Sequence, residues 1–393
     1  MRGQIYVSEQ MPQGLIANYL NPYRGRCLSN RMISCLHYLA DMKNGQQSAA
    51  MESIVLPKLS CPFARTINEH IETTHRGSVE WVGRFGLCPN EQTLRLFQRL
   101  GIGRLAARTH PDCSRDKLQL VSDWYAWLFI LDDIRDASEF NGDPEKLSVM
   151  DNRFLDILEG KVPNNRDTPL VFALHDLQER LCERLGARGL SDVWMRRFIR
   201  TIKESFEASL WEAANRARGT TPGIESYVRM RPLTGGLSII TRLTEIIEGN
   251  HLPHEVREHP TVRHLTEASD NIVCWANDIL SLHKELKTGE VNNLVVVLRD
   301  AEALTLQQAI DRAAKMYETE MRTFVELEEH LPSFGTALDT ALGRYVSFLR
   351  ARIQGVLDWS YESARYWAAF ESERAETSSS AVWASTGSEN QNP

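Results

Sequence analysis

The sequence predicts an all-α fold, and three observations carry that expectation. Apolar residues recur at i, i+3 and i+4 along most of the chain, while strand-like alternation is nearly absent. Pro, Gly, Asn and Asp clusters interrupt these stretches at helical lengths, as at Cys88-Pro89-Asn90, Asn141-Gly142-Asp143-Pro144, Pro163-Asn164-Asn165 and Leu331-Pro332-Ser333. Hydrophobic residues make up 42% of the chain, which is enough for a sizeable core and excludes disorder over most of its length.

The pattern places helices over 64–85, 92–107, 115–137, 144–160, 168–186, 191–217, 222–249, 256–287, 302–331 and 335–371. Residues 51–371 therefore read as one helical domain. Residues 1–50 read as an N-terminal extension outside the catalytic core, and residues 372–393, Ser-rich from Glu376 on, as a disordered tail. No internal repeat is visible, which disfavours a solenoid.

Charge and composition exclude several classes of partner. A net charge of -7 argues against a nucleic-acid surface, which needs a basic stripe. The densest apolar run, Trp124 to Leu131, is far short of the roughly 20 residues of a membrane span. The opening MRGQIYVSEQ lacks the apolar stretch of a signal peptide. The seven cysteines are scattered without a CxxC pair, so neither a zinc site nor a disulfide framework is expected. These readings make the chain a cytoplasmic protein with reduced thiols, and they leave monomer and homodimer both open.

The first chemical constellation ends the segment VSDWYAWLFILDDIRD, residues 121–136. Residues 124–131 are apolar on every side, so this helix is buried all round. Asp132, Asp133 and Asp136 then arrive together at its C-terminal end. Adjacent and i+4 like charges repel, and the helix dipole adds negative charge there. Partial burial also desolvates the carboxylates. Strong positive charge must be nearby. Arg135 is a local candidate but cannot balance three acids, whereas Mg²⁺ favours carboxylate oxygens together with substrate phosphates.

The second constellation lies in CWANDILSLHKELKTGE, residues 274–290. Asn277, Ser281 and Glu285 are spaced four apart twice and form one helical stripe. Amide carbonyl, hydroxyl and carboxylate together could clamp a second metal site. Lys284, one residue off, could reach a phosphate as a point charge. A solvated polar face is the ordinary reading of such a triple, but the apolar neighbours Ile272, Val273, Trp275 and Ile279 weigh against it.

The two motifs in this order resemble those of the class I terpene synthases. The resemblance covers about residues 51–371 and looks most like microbial single-α-domain sesquiterpene synthases. Met51 opens MESIVLPKLSCPF, which is similar to the usual opening of that family. The implied fold is the class I terpenoid synthase helical bundle around a central active-site cavity. The implied cofactor is Mg²⁺, with three ions expected beside the bound diphosphate. By the family's pattern Asp132 bridges two ions and Asn277, Ser281 and Glu285 hold the third, while Asp133 and Asp136 stand behind them or act in closure.

The resemblance extends to the stretch Tyr227 to Gly236, where Arg231 looks like a diphosphate sensor, Thr234 a linker and Gly235 an effector. Arg229 is the rival sensor. Pro232 and the two glycines must disturb this helix whatever the family, and a break frees backbone carbonyls. Near the C-terminus, Arg365 and Tyr366 match the family's Arg-Tyr pair, with Trp359 six residues earlier. Arg231, Lys284, Arg365 and Tyr366 would bind the substrate diphosphate. Phe85, Tyr125, Phe129 and Trp359 are candidates for an aromatic wall that stabilises carbocations.

The implied activity is Mg²⁺-dependent ionisation and cyclisation of a prenyl diphosphate. Farnesyl diphosphate is the first expectation, with geranyl and geranylgeranyl diphosphate as alternatives. A chain-elongating prenyl diphosphate synthase would need a second aspartate-rich motif, which the Asn/Ser/Glu stripe is not. A non-catalytic relative would have substituted ligands, and none is substituted here.

Overall fold

The protein is described as a computed structural model over residues 54–136, 143–186, 191–363 and 365, and no strand occurs among them. The expected extension over 1–50, the expected tail over 372–393 and Tyr366 lie outside the described residues, as does the side chain of Asp136. The helices are α1 (Ile71–Arg84), α2 (Glu91–Leu100), α3 (Ile102–Thr109), α4 (Arg115–Asp136), α5 (Pro144–Leu158), α6 (Pro169–Gly186) and α7 (Ser191–Arg218). They continue with α8 (Ile224–Thr234), α9 (Leu237–Glu248), α10 (His254–Arg257), α11 (Pro260–Thr288), α12 (Leu294–Glu302), α13 (Leu306–Glu329) and α14 (Thr336–Glu362).

Helix α4 runs through the interior and packs on α1, α3, α6 and α9. Trp124 and Trp127 are fully buried on it and meet Phe198 and Phe154 edge-on, each with ring centroids 5.2 Å apart. Across the bundle, α11 packs on α8, α12, α13 and α14. Helix α14 in turn lies against α3. The segment before α1 straps the outside of the bundle: Val55 exchanges backbone bonds with the Gln307 amide at 2.9 and 3.1 Å, and the Ser60 carbonyl accepts from the Tyr317 hydroxyl at 3.0 Å.

Four differences from the expected helices have local causes. The span 92–107 is split by Gly101, which sits at φ 71, a conformation glycine adopts at low cost. The span 64–85 starts late because the Asn68 side chain holds the turn before Ile71, accepting from the His70 N–H at 2.9 Å. The span 222–249 is two helices that break after Thr234. Helix α12 was not expected at all. Its buried Leu294, Val295, Val296, Val297 and Leu298 form a continuous apolar run, three of them β-branched valines, and Asn293 caps it by accepting from Val295 N–H at 2.8 Å.

Candidate active site

A cavity of about 440 Å³ opens between α4, α7, α8, α9, α11 and α14. Its lining combines charged and polar side chains with aromatic and aliphatic ones, Tyr125, Leu128, Ile239, Ile240 and Val356 among them. The volume is within the range of roughly 300–1,000 Å³ that ligand pockets occupy.

On one side of the cavity stands the end of α4. Asp132 lines the cavity with its side chain 55% exposed, so a ligand can reach its carboxylate directly. Asp133, one residue on, turns inward and is buried. Arg365 spans the two, with Nη2 3.3 Å from Asp132 Oδ2 and Nη1 3.5 Å from Asp133 Oδ1. Arg135 has a different role from the one expected. It is buried, pairs with Asp151 and lies over the Phe206 ring at 4.5 Å, so its charge serves Asp151 on α5 first and Asp132 second.

The second group is the stripe on α11. Asn277, Ser281, Lys284 and Glu285 all line the cavity. Ser281 Oγ donates to the Asn277 carbonyl at 2.7 Å, and Glu285 Oε2 accepts from the Asn293 side-chain amide at 2.8 Å. Burial, and then the charge of Asp278, push the Glu285 carboxyl above its ordinary range, while Ser281 and Asn293 pull it back. A cation at this position would relieve that cost.

Between the two walls, the break after α8 brings in Arg231, Thr234 and Gly235. Arg231 Nε donates to Asp278 Oδ1 at 2.9 Å, and Nη2 donates to Asn277 Oδ1 at 2.8 Å. Burial opposes its charge, but its neighbours, Asp278 first and then Tyr227, Cys274 and Glu212, together more than offset this and hold the guanidinium protonated. Asp278 also accepts from the Tyr227 hydroxyl at 2.6 Å and from Leu294 N–H at 3.2 Å. Arg229, the rival, is exposed on the outer face and does not line the cavity. A Cβ on Gly235 would come within 3.0 Å of Arg231 Nη1, 3.2 Å of the Arg231 carbonyl and 3.4 Å of Cys274 Sγ, so a side chain there would crowd Arg231 and Cys274.

Phe129 and Trp359 both line the cavity and meet edge-on at 5.5 Å. The Arg365 guanidinium lies over Phe129 at 5.0 Å, and the Trp359 indole N–H is tied to the Leu100 carbonyl at 2.8 Å. Tyr125 also lines the cavity, but Phe85 does not: it packs on Trp81 at 5.3 Å under Arg84.

The sequence reading missed a polar face of α7. Ser205, Ser209, Glu212 and Arg216 follow i, i+4, i+7, i+11 and all line the cavity. Burial pushes Glu212 up to about 7, against the pull of Arg216, Arg231 and a hydrogen bond with Thr234. That spacing was available in the sequence, but a Ser, Ser, Glu, Arg stripe has no chemical signature of its own.

The matching family model is "Terpene synthase family 2, C-terminal metal binding", which spans residues 123–323 and so includes both groups of candidate metal ligands. The chain belongs to the terpene synthase family. A (+)-T-muurolol synthase of Roseiflexus castenholzii, named as cyclising (2E,6E)-farnesyl diphosphate, is 37% identical over 79% of this terpene synthase and 93% of its own length. A germacrene A synthase of Nostoc punctiforme is 33% identical over 80% of this chain and 96% of its own. The solved structure of an α-eudesmol synthase shares the fold at a TM-score of 0.69, with 23% identity over 78% of this chain and 99% of the other. No helix among the described residues is long and apolar enough to cross a membrane.

Proposed function

We propose that this terpene synthase ionises farnesyl diphosphate with Mg²⁺ and cyclises the farnesyl cation to a sesquiterpene, releasing diphosphate. One observation carries the reading: Asp132 and the Asn277, Ser281, Glu285 stripe, from two different helices, line one cavity together with apolar residues such as Leu128, Ile239, Ile240 and Val356. The relatives named for farnesyl diphosphate or for C15 products align over nearly their whole length.

The donors suit Mg²⁺. They are all oxygens, and they are divided between two walls. Among the described residues no three His, Cys, Asp or Glu gather as a self-sufficient metal site, so the remaining ligands would be substrate phosphate oxygens and water. Asp132 would hold metal on the α4 side, and Asn277, Ser281 and Glu285 on the α11 side. Bound there with three ions, Mg²⁺ supplies the positive charge that draws the carbon–oxygen electron pair onto the leaving diphosphate.

The chain's own cations complete that field. Arg231 stands fixed between Asp278 and Asn277, and Lys284 and Arg365 face the same space. Fixed dipoles and charges of this kind stabilise developing charge without reorganising. The Thr234–Gly235 break, tied back to Arg231 by the Thr234 hydroxyl at 3.2 Å, couples the diphosphate end to the rest of the cavity wall. Beneath it, Phe129, Trp359 and the aliphatic side chains exclude water from the cation, and aromatic faces add roughly 0.5–2 kcal/mol each.

A coupled-enzyme assay for released diphosphate tests this reading. Release from farnesyl diphosphate in Mg²⁺, abolished by EDTA, is expected. Metal-independent release, or none from well-folded protein, would overturn it.

A further inference from the structure

Away from the carboxylates, the cavity wall carries a polar thread. Tyr125 lies seven residues before Asp132 on α4, about 10 Å along the axis at roughly 1.5 Å per residue, and it lines the cavity. Its hydroxyl is 3.3 Å from Thr109 Oγ1, which is 2.9 Å from His110 Nδ1. His110 Nε2 is in turn 2.9 Å from Thr244 Oγ1. All four side chains are buried.

The bonds around Thr244 suit one imidazole tautomer, with the proton on Nε2. The Thr244 hydroxyl donates to the Ile240 carbonyl at 2.8 Å, so its oxygen is left to accept from His110 Nε2–H. In that tautomer Nδ1 is the basic nitrogen, and it faces Thr109. The Thr109 hydroxyl also reaches the carbonyls of Leu105 at 3.0 Å and Ala106 at 3.3 Å, so it can rotate between those acceptors and His110.

We propose that the Tyr125–Thr109–His110 chain takes the terminal proton of the cyclisation. The C–H bond beside the cationic carbon breaks, and its electron pair becomes the π bond of the alkene. The proton goes to the Tyr125 oxygen while the phenol's own proton passes to Thr109 Oγ1 and the Thr109 hydroxyl proton passes to His110 Nδ1. Where water has first added to the cation, the same chain takes the proton from the new oxygen, and that O–H pair stays on oxygen. His110 ends as an imidazolium with both nitrogens donating.

The surroundings suit both halves of a cycle. Burial holds His110 down to about 4, with Glu248 and a backbone hydrogen bond to Ala106 working against it and Arg352 adding to it. The imidazole therefore stands neutral at neutral pH, basic enough for a carbocation. The imidazolium it becomes is acidic enough to return the proton by the same path once product leaves, with Tyr125 passing it to water that enters the emptied cavity.

The inference rests on the terpene-forming reading, and its test separates the two. Tyr125→Phe, Thr109→Val and His110→Asn would each be incubated as full-length protein with farnesyl diphosphate and Mg²⁺. Products are resolved by gas chromatography–mass spectrometry and counted per diphosphate released. In each variant the share of the main wild-type product should fall about tenfold, a modest fraction of what a positioned base contributes. Products of earlier cations should replace it, and the Tyr125→Phe/His110→Asn double variant should be no worse than either single one. Thr109→Val is nearly isosteric and keeps the test open should His110→Asn fail to fold. An unmoved product distribution in Tyr125→Phe and Thr109→Val would overturn the relay. So would a shift confined to Tyr125→Phe, which would make the phenol a wall. Wild-type protein that releases no diphosphate would overturn the underlying reading instead.

Discussion

Asp278→Asn probes the anchor of the site. Asp278 is 1% exposed and accepts three hydrogen bonds, from the Tyr227 hydroxyl, Arg231 Nε and Leu294 N–H, at 2.6, 2.9 and 3.2 Å. An amide keeps the volume but removes the charge, and its NH₂ must face at least one of those donors. Breaking a buried pair from one side costs about 3–5 kcal/mol. A domain stable by about 5–15 kcal/mol survives most of that range. Urea unfolding should therefore show a lower midpoint at an unchanged slope. Arg231 also loses its main anchor. If one charge-assisted bond to the diphosphate weakens by about 1.5–3 kcal/mol, kcat/KM falls roughly 10- to 150-fold at about 1.36 kcal/mol per decade. A loss of under about 1 kcal/mol with unchanged kcat/KM would refute the claim that Asp278 holds the sensor.

Four further outcomes follow from the geometry. Asp132→Asn should change stability by less than about 1 kcal/mol, because the side chain is half exposed, yet abolish diphosphate release; wild-type turnover would remove the metal assignment. Arg231→Ala should lower kcat/KM far more than Arg229→Ala, whose parent residue is exposed, and the reverse ranking would move the sensor. Glu212 binds its proton more tightly folded, at about 7, than at its ordinary 4.5. Its stabilising contribution is thus full below pH 4.5 and lost as pH rises through 7, and Glu212→Gln should flatten that part of the stability–pH curve; an unchanged curve contradicts the assignment. A chain starting at Met51 keeps the strap from Val55 to Ser60 and should retain activity, whereas insoluble or inactive protein would place part of the fold within residues 1–50.

The sequence disclosed the parts of this site whose residue types are costly anywhere else. A helix apolar on every side that ends in Asp132, Asp133 and Asp136 has few physical explanations, and Asn277, Ser281 and Glu285 repeat at the period of one helix face. Those patterns located α4, α11 and their chemistry. What they left open depends on phase and partners. Arg229 and Arg231 lie two residues apart on a helix that contains Pro232, and only the three-dimensional path places Arg231 on the cavity wall. Nothing in the local sequence marks Asp278 as an anchor, because its partners, Tyr227 and Leu294, come from α8 and α12. Helix α12 was missed because a continuous apolar run with three valines does not by itself mark a helix, and Phe85 because an aromatic near a helix end packs on Trp81 as readily as on a cavity.

The most direct test of the account is incubation of the purified protein with geranyl, farnesyl and geranylgeranyl diphosphate, in Mg²⁺ or EDTA, with products identified by gas chromatography–mass spectrometry. The account predicts a Mg²⁺-dependent C15 hydrocarbon or alcohol from farnesyl diphosphate as the dominant product. A cyclic C10 or C20 product in preference would contradict the substrate, and no terpene from any of the three would contradict the function.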